Sequence, residues 1–146
     1  MMPEMAPEMT PNDLTRIHGA SFVMPAPWPA RDFADFLASP LCFVETDGAS
    51  GFILGRVIAD EAELLTIATH PAHQRQGLAR QVMQDWQDLA RTRGAAEAFL
   101  EVAADNTPAQ ALYQACGFAT CGTRPGYYAR KGAAPVDAVL MRCSLR

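Results

Sequence analysis

One carboxylate interrupts an apolar run in AFLEVA, and a tyrosine follows twelve residues later in ALYQACGF. Glu101 is a candidate proton acceptor, because a carboxylate inside an apolar strand is poorly solvated in its charged form. The alternative is a glutamate on a wet strand face. Tyr113 carries a phenol that ordinarily ionises near about 10, so at neutral pH it keeps a proton to donate. It also fits a plain core position with a satisfied hydroxyl. Together the two could accept and donate protons in one reaction.

A second chemical signal lies in HPAHQRQGLARQVMQDW, where a polar loop reaches Gly77 and opens directly into an amphipathic helix. Glycine is commonest just past a helix end, so one at a helix start is informative. Backbone N–H groups exposed at such a turn form an anion site. Arg75 and Arg80 flank it and could meet phosphate charge. The loop has neither G-x-G-x-x-G nor the second glycine and Lys-Ser/Thr of a Walker loop. The other reading is a strand-to-helix connection with both arginines in solvent. His70 and His73 have H-x-x-H spacing, but Pro71 lies between them and no third ligand is evident, so no metal is expected. The four cysteines form no C-x-x-C pair, which points to reduced thiols and a cytoplasmic protein.

Secondary elements must position these groups. A length of 146 residues suits one domain, and 49% hydrophobic with 19% charged residues is an ordinary globular balance. The net charge of −4 argues against direct nucleic-acid binding, and no segment is long and apolar enough to span a membrane. The opening MMPEMAPEMTP reads as a flexible leader over residues 1–10, with residues 11–146 as the domain. Thr10 and Pro11 suggest the start of a helix through Ile17. MPAPWP is a stiff proline loop, and ARDFADFLAS is a short helix with Phe33, Phe36 and Leu37 on one face. LCFVET, FILGRVIAD and ELLTIAT read as strands. The helix after Gly77 places Leu78, Val82, Met83, Trp86, Leu89 and Ala90 at helical spacing, and Gly94 ends it. AEAFLEVA is expected to be an interior strand, apolar on both sides. A helix over residues 107–116 follows, with Pro108 in its first turn and Gly117 as its stop. FATCGTRPGYY and VDAVLMRCSL are expected as two strands around a loop. The sum is a mixed α/β sheet with helices on both faces.

The loop Gln74-Arg75-Gln76-Gly77-Leu78-Ala79 resembles the Arg/Gln-x-x-Gly-x-Gly/Ala signature of the GCN5-related N-acetyltransferase (GNAT) family. LEVAADNTPAQALYQACGF resembles that family's later signature, a strand ending near an asparagine and then a helix ending in Leu-Tyr-x-x-x-Gly-Phe. The likeness covers the chain from Thr10 onward. PW in MPAPWP, RPGYY and VDAVLM resemble stretches of the RimI type, which acetylates an alanine-start small-subunit ribosomal protein. The sequence departs from that type at Pro29, where serine is usual, at Val136, where glutamate is usual, and at Ala79, where glycine is common.

The resemblance implies a mostly antiparallel sheet, splayed after the ELLTIAT strand, and acetyl-coenzyme A as co-substrate. It implies that the pyrophosphate lies on Gln74, Arg75, Gln76, Gly77, Leu78, Ala79 and Arg80. The pantetheine arm would pair with the backbone of Ile67, Ala68 and Thr69 and hydrogen-bond Asn106, a residue that could equally cap the following helix. Glu101 takes the role of base and Tyr113 that of acid. Trp28, Tyr127 and Tyr128 are candidates to bind the acceptor, with packing roles as their alternative. The expected acceptor is a protein N-terminus, that of a ribosomal protein first, and the expected state is a monomer or weak dimer. An enzyme of the same fold acting on a polyamine or aminoglycoside, or a non-catalytic acyl-CoA-binding module, are the alternatives.

Overall fold

The computed structural model describes residues 30–46, 51–69, 78–130 and 132–146. The proposed leader, the helix near Thr10, the MPAPWP loop with Trp28, and loop residues Gln74, Arg75, Gln76 and Gly77 lie outside them. The elements run α1 (Ala30–Ala38), β1 (Cys42–Thr46), β2 (Gly51–Ile58), β3 (Glu61–Thr69), α2 (Leu78–Thr92), β4 (Glu97–Ala103), α3 (Thr107–Ala115), β5 (Ala119–Arg130) and β6 (Ala133–Ser144). They build one six-stranded sheet in the order β1-β2-β3-β4-β6-β5. Only the β3–β4 pair is parallel.

Strand β2 shows why the sheet has helices on both faces. Its side chains alternate, as a strand requires. Phe52 and Leu54 join Phe33 and Ala68 under α1, while Ile53 and Val57 join Met83 and Trp86 under α2. Phe33 meets Phe52 edge-on, with ring centroids 5.6 Å apart. The expected face of α1 is narrower than its sequence suggests: Phe33 is buried and Phe36 packs against that cluster, but Leu37 is 36% exposed. Helix α2 buries Val82, Met83, Trp86 and Ala90, the three-and-four spacing of one helical face.

Trp86 is fully buried and stacks on Phe43 at 5.7 Å. It lies flat over Gly55, where an added Cβ would fall 2.5 Å from Trp86 Nε1. Gly55→Ala is therefore expected to cost about 1–3 kcal/mol through overpacking. A lower denaturant midpoint at unchanged slope would show it, and an unchanged midpoint would mean that the helix lifts off without cost.

One expectation needs correction. Strand β4 is not buried on both sides: Ala98, Leu100 and Val102 are buried, while Glu97, Phe99, Glu101 and Ala103 are only half-buried. The reason is that α1 packs over β1, β2 and the end of β3, and its cluster holds no residue of β4. The expected strand FATCGTRPGYY is present as β5, which continues through RPGYY to Arg130. The ladder passes from Arg124 opposite Ala138 to Tyr128 opposite Val136, so three residues of β5 face one of β6. This bulge absorbs Pro125 and Gly126, whose φ of 61° lies in the left-handed region that favours glycine.

The splay expected after ELLTIAT is present. Glu61, Ala62 and Glu63 pair with Glu97, Ala98 and Phe99, and the two strands share no ladder beyond that point. Against β2, Gly55 faces Leu64 and Leu54 faces Thr66, leaving Leu65 as the extra residue of a bulge.

Candidate active site

The parting of β3 and β4 defines the site. Past Glu63, strand β3 remains paired to β2 on one edge, with Ile67 opposite Ile53, Ala68 opposite Phe52 and Thr69 opposite Gly51. Its other edge has no strand partner among the described residues, so backbone donors and acceptors there can pair with an extended ligand. Ile67 and Ala68 point their side chains into the cores on opposite faces. Any role of this segment in binding is carried by its backbone.

Glu101 lies two residues past Phe99, the last position of β4 that pairs with β3. Its neighbours Leu100 and Val102 point into the core under α2 and α3, and Glu101 points to the other face. The burial expected for it does not occur. Its side chain is 29% exposed, and its Oε1 lies 3.3 Å from Arg124 Nη2. No partner among the described residues holds its other oxygen.

Tyr113 on α3 is 4% exposed and meets Phe118 edge-on at 6.2 Å. Burial holds its phenol well above the ordinary value, with Tyr128 and Cys116 adding smaller contributions. Tyr128 links the two faces, since it lies within electrostatic reach of both Tyr113 and Glu101. Its own phenol is raised by burial first, then by Glu101 and Tyr127, with Arg130 and Arg124 opposing.

The β5 bulge organises this region. Tyr127 and Tyr128 pack edge-on at 5.1 Å. Arg124 lies over the Tyr127 ring at 5.6 Å and Arg130 over Tyr128 at 5.9 Å. Arg130 is also ion-paired to Asp105 at 2.9 Å, which ties the end of β5 to the turn after β4. Asp137 accepts a hydrogen bond from the Gly126 N–H at 2.9 Å, and its backbone oxygen accepts one from the Ala104 N–H at 2.8 Å. One residue thus anchors both the bulge and the end of the strand that carries Glu101.

Arg124, Arg130, Asp105 and Asp137 were not singled out by sequence reasoning. Asp137 carried a readable signal, because it is a lone acid in the apolar stretch VDAVLM, the same signal that marked Glu101. Arg124 carried none of its own, since its partner is distant in sequence.

On the expected cofactor side the outcome is partial. Leu78 begins α2, Ala79 is half-buried and Arg80 is exposed in the first helical turn. Arg80 lies near enough to Cys116 to oppose the rise that burial imposes on that thiol. Gln87 Nε2 donates to the Cys116 oxygen at 3.0 Å, holding α2 against the end of α3. Asn106 performs the capping job: its Oδ1 accepts from the Ala109 N–H at 3.2 Å. Among the described residues no group of His, Cys, Asp and Glu could hold a metal ion. No described helix is long and apolar enough to cross a membrane.

Residues 12–118 match the family model described as Acetyltransferase (GNAT) family. The ribosomal protein bS18-alanine N-acetyltransferase of Escherichia coli (strain K12) is 38% identical over 105 residues, covering 70% of this chain and 71% of that protein. The crystal structure of the ribosomal-protein-S18-alanine N-acetyltransferase from Escherichia coli aligns with a TM-score of 0.80 at 30% identity, over 92% of this chain and 88% of that one. An uncharacterised protein of Mycobacterium leprae (strain TN) is 36% identical over 145 residues, 92% of this chain but only 39% of that longer protein.

Proposed function

The chain belongs to the acetyltransferase (GNAT) family, and from that premise we propose that it acetylates the α-amino group of a protein N-terminus, with acetyl-coenzyme A as donor. The first candidate acceptor is an alanine-start ribosomal protein, by its similarity to an enzyme named for that reaction. The observation that carries the reading is the parting of β3 and β4 beside Glu101. It leaves one edge of β3 without a strand partner among the described residues, facing one substrate, and offers a carboxylate for the other.

The residues present fit an acyl-CoA. The backbone of Ile67, Ala68 and Thr69, on the edge that β4 leaves, suits the amide-bearing pantetheine arm, and the first turn of α2 with Arg80 suits the phosphates. Once bound, acetyl-coenzyme A supplies the thioester carbonyl. An α-amine with a pKa of about 7.7–8.0 arrives largely protonated at neutral pH, so it must lose a proton to attack. Glu101 takes that proton on the oxygen that Arg124 does not hold, directly or through one water. Tyr113 keeps its phenolic proton because burial opposes ionisation, and it gives that proton to the departing sulfur. The nitrogen sheds a second proton as the amide forms, which restores the Tyr113 phenol through water, and Glu101 releases its own proton to solvent.

The testing experiment compares an alanine-start ribosomal peptide, the same peptide with a blocked N-terminus, spermidine and an aminoglycoside at equal concentration. The free peptide is expected to be acetylated fastest and the blocked one not at its terminus. Faster acetylation of either small amine would overturn the protein-acceptor reading.

The anchoring by Asp137 yields a further expectation. Asp137→Ala releases the Gly126 N–H and loosens the tyrosine pair. The peptide KM should rise by roughly 10-fold or more, the worth of about one hydrogen bond to a charged group. The KM for acetyl-coenzyme A should stay near wild type. A parallel rise in both constants would reduce Asp137 to a general stabiliser of the sheet.

A further inference from the structure

The proposed reaction leaves Arg124 unused, although it is ion-paired to the base. Its Nη2 lies 3.3 Å from Glu101 Oε1, and its side chain is 55% exposed. The Tyr127 ring, 5.6 Å from the guanidinium carbon, holds it from the side. Its ladder position fits the contact: Arg124 faces Ala138, which faces Ala103, two residues along the same strand face from Glu101. Among the described residues Glu101 is its ion-pair partner, so other N–H groups of the guanidinium fork remain available.

An amine that gives its proton to Glu101 must come within about 2.6–3.2 Å of that carboxylate, or one water away. The first residue of a protein chain carries a carbonyl oxygen about 3 Å from its own α-nitrogen, by standard backbone dimensions. That oxygen therefore arrives beside whatever neighbours the base. A lysine ε-amine or a polyamine nitrogen is followed by methylene groups and brings no acceptor there.

We propose that Arg124 is the residue that selects α-amines, by donating to the carbonyl of the acceptor's first residue while Tyr127 holds its guanidinium beside Glu101. The inference rests on the protein N-terminus as acceptor and names how that terminus is told from other amines. The energetic asymmetry favours it. A donor aimed at an acceptor that one substrate has and the other lacks discriminates far better than a pocket that differs only in shape.

The test measures kcat/KM for three acceptors: an alanine-start peptide, an N-terminally blocked peptide with one lysine, and spermidine. Wild type is compared with Arg124→Met, which keeps the stem over Tyr127 but removes every donor, and Arg124→Lys, which restores a cationic donor. Because Arg124 is half-exposed, both variants are expected to fold, and circular dichroism with the acetyl-coenzyme A KM checks this. Arg124→Met should lower the preference for the α-amine peptide over the blocked lysine peptide by about tenfold, the scale of one charge-assisted hydrogen bond. Most of that loss should fall on the α-amine substrate, and Arg124→Lys should recover part of it. An unchanged preference in Arg124→Met, with wild type still favouring the α-amine peptide, overturns the selector role and leaves the proposed reaction standing. Equal losses on all three acceptors would also overturn it and make Arg124 a positioning residue for Glu101. A wild-type enzyme that prefers spermidine overturns the protein-acceptor reading, and the selector role with it.

Discussion

Glu101→Gln is expected to lower kcat by roughly 10²–10⁴-fold, the usual contribution of a general base. The KM for acetyl-coenzyme A should remain near wild type, because the end of β3 and the start of α2 belong to other elements. Glutamine keeps the shape of the side chain and can still meet Arg124, but it cannot take up a proton. At 29% exposure the change should move stability by no more than about 0.5 kcal/mol, the ordinary range for a surface site. The loss in rate can then be assigned to chemistry, provided single-turnover measurements show that acetyl transfer limits the reaction. Wild-type rates in Glu101→Gln under those conditions would pass the base role to another group or to solvent. Added free amine at higher pH offers a second check. More of the acceptor is then neutral before it binds, so the deficit should shrink as pH rises through about 8, the range of an α-amino group.

The parts of this fold that were legible in the sequence are those set by local patterns. The run in β2 is apolar at consecutive positions because Phe52 and Leu54 face one helix while Ile53 and Val57 face another. Helix α2 shows its buried stripe, and α3 its asparagine cap and proline start. What local patterns could not show was how far each covering helix reaches. AFLEVA has the composition of a strand buried on both sides, yet α1 stops short of β4 and leaves Glu101 half-open. Pro125 and Gly126 are turn signals in any chain, and here they sit in a bulge that Asp137 on the neighbouring strand makes tolerable. Whether such a pair ends a strand or kinks it depends on that neighbour. The Glu101–Arg124 contact is hidden for the same reason: it exists because β4 and β5 both flank β6, which sequence spacing does not reveal. The family signatures, by contrast, pointed to the splay itself.

Tyr113→Phe is expected to lower kcat by about 10²-fold, since phenylalanine keeps the edge contact with Phe118 but has no proton to give. A purely structural tyrosine would cost stability instead, so the two roles separate by measurement. The alkaline behaviour separates them further. In the unfolded chain this phenol ionises near about 10. In the folded protein burial, followed by the nearby Tyr128 and Cys116, pushes it above that value. A raised folded value means that the folded state holds the proton more tightly. The stability it contributes is complete below the unfolded value and is lost as pH rises through the folded one. Wild type should therefore lose stability above pH about 10 more steeply than Tyr113→Phe, which has no proton to release on unfolding. Tyr128 is raised as well, but it is present in both proteins, so the difference between the two curves isolates Tyr113. The same burial keeps the acid protonated throughout the working range, so Tyr113 should impose no alkaline limb on kcat below that pH. Identical alkaline stability in the two proteins would mean that this phenol is wetter than its 4% exposure implies. Wild-type kcat in Tyr113→Phe, with transfer shown to be rate-limiting, would remove the residue from the chemistry and leave water to protonate the leaving sulfur.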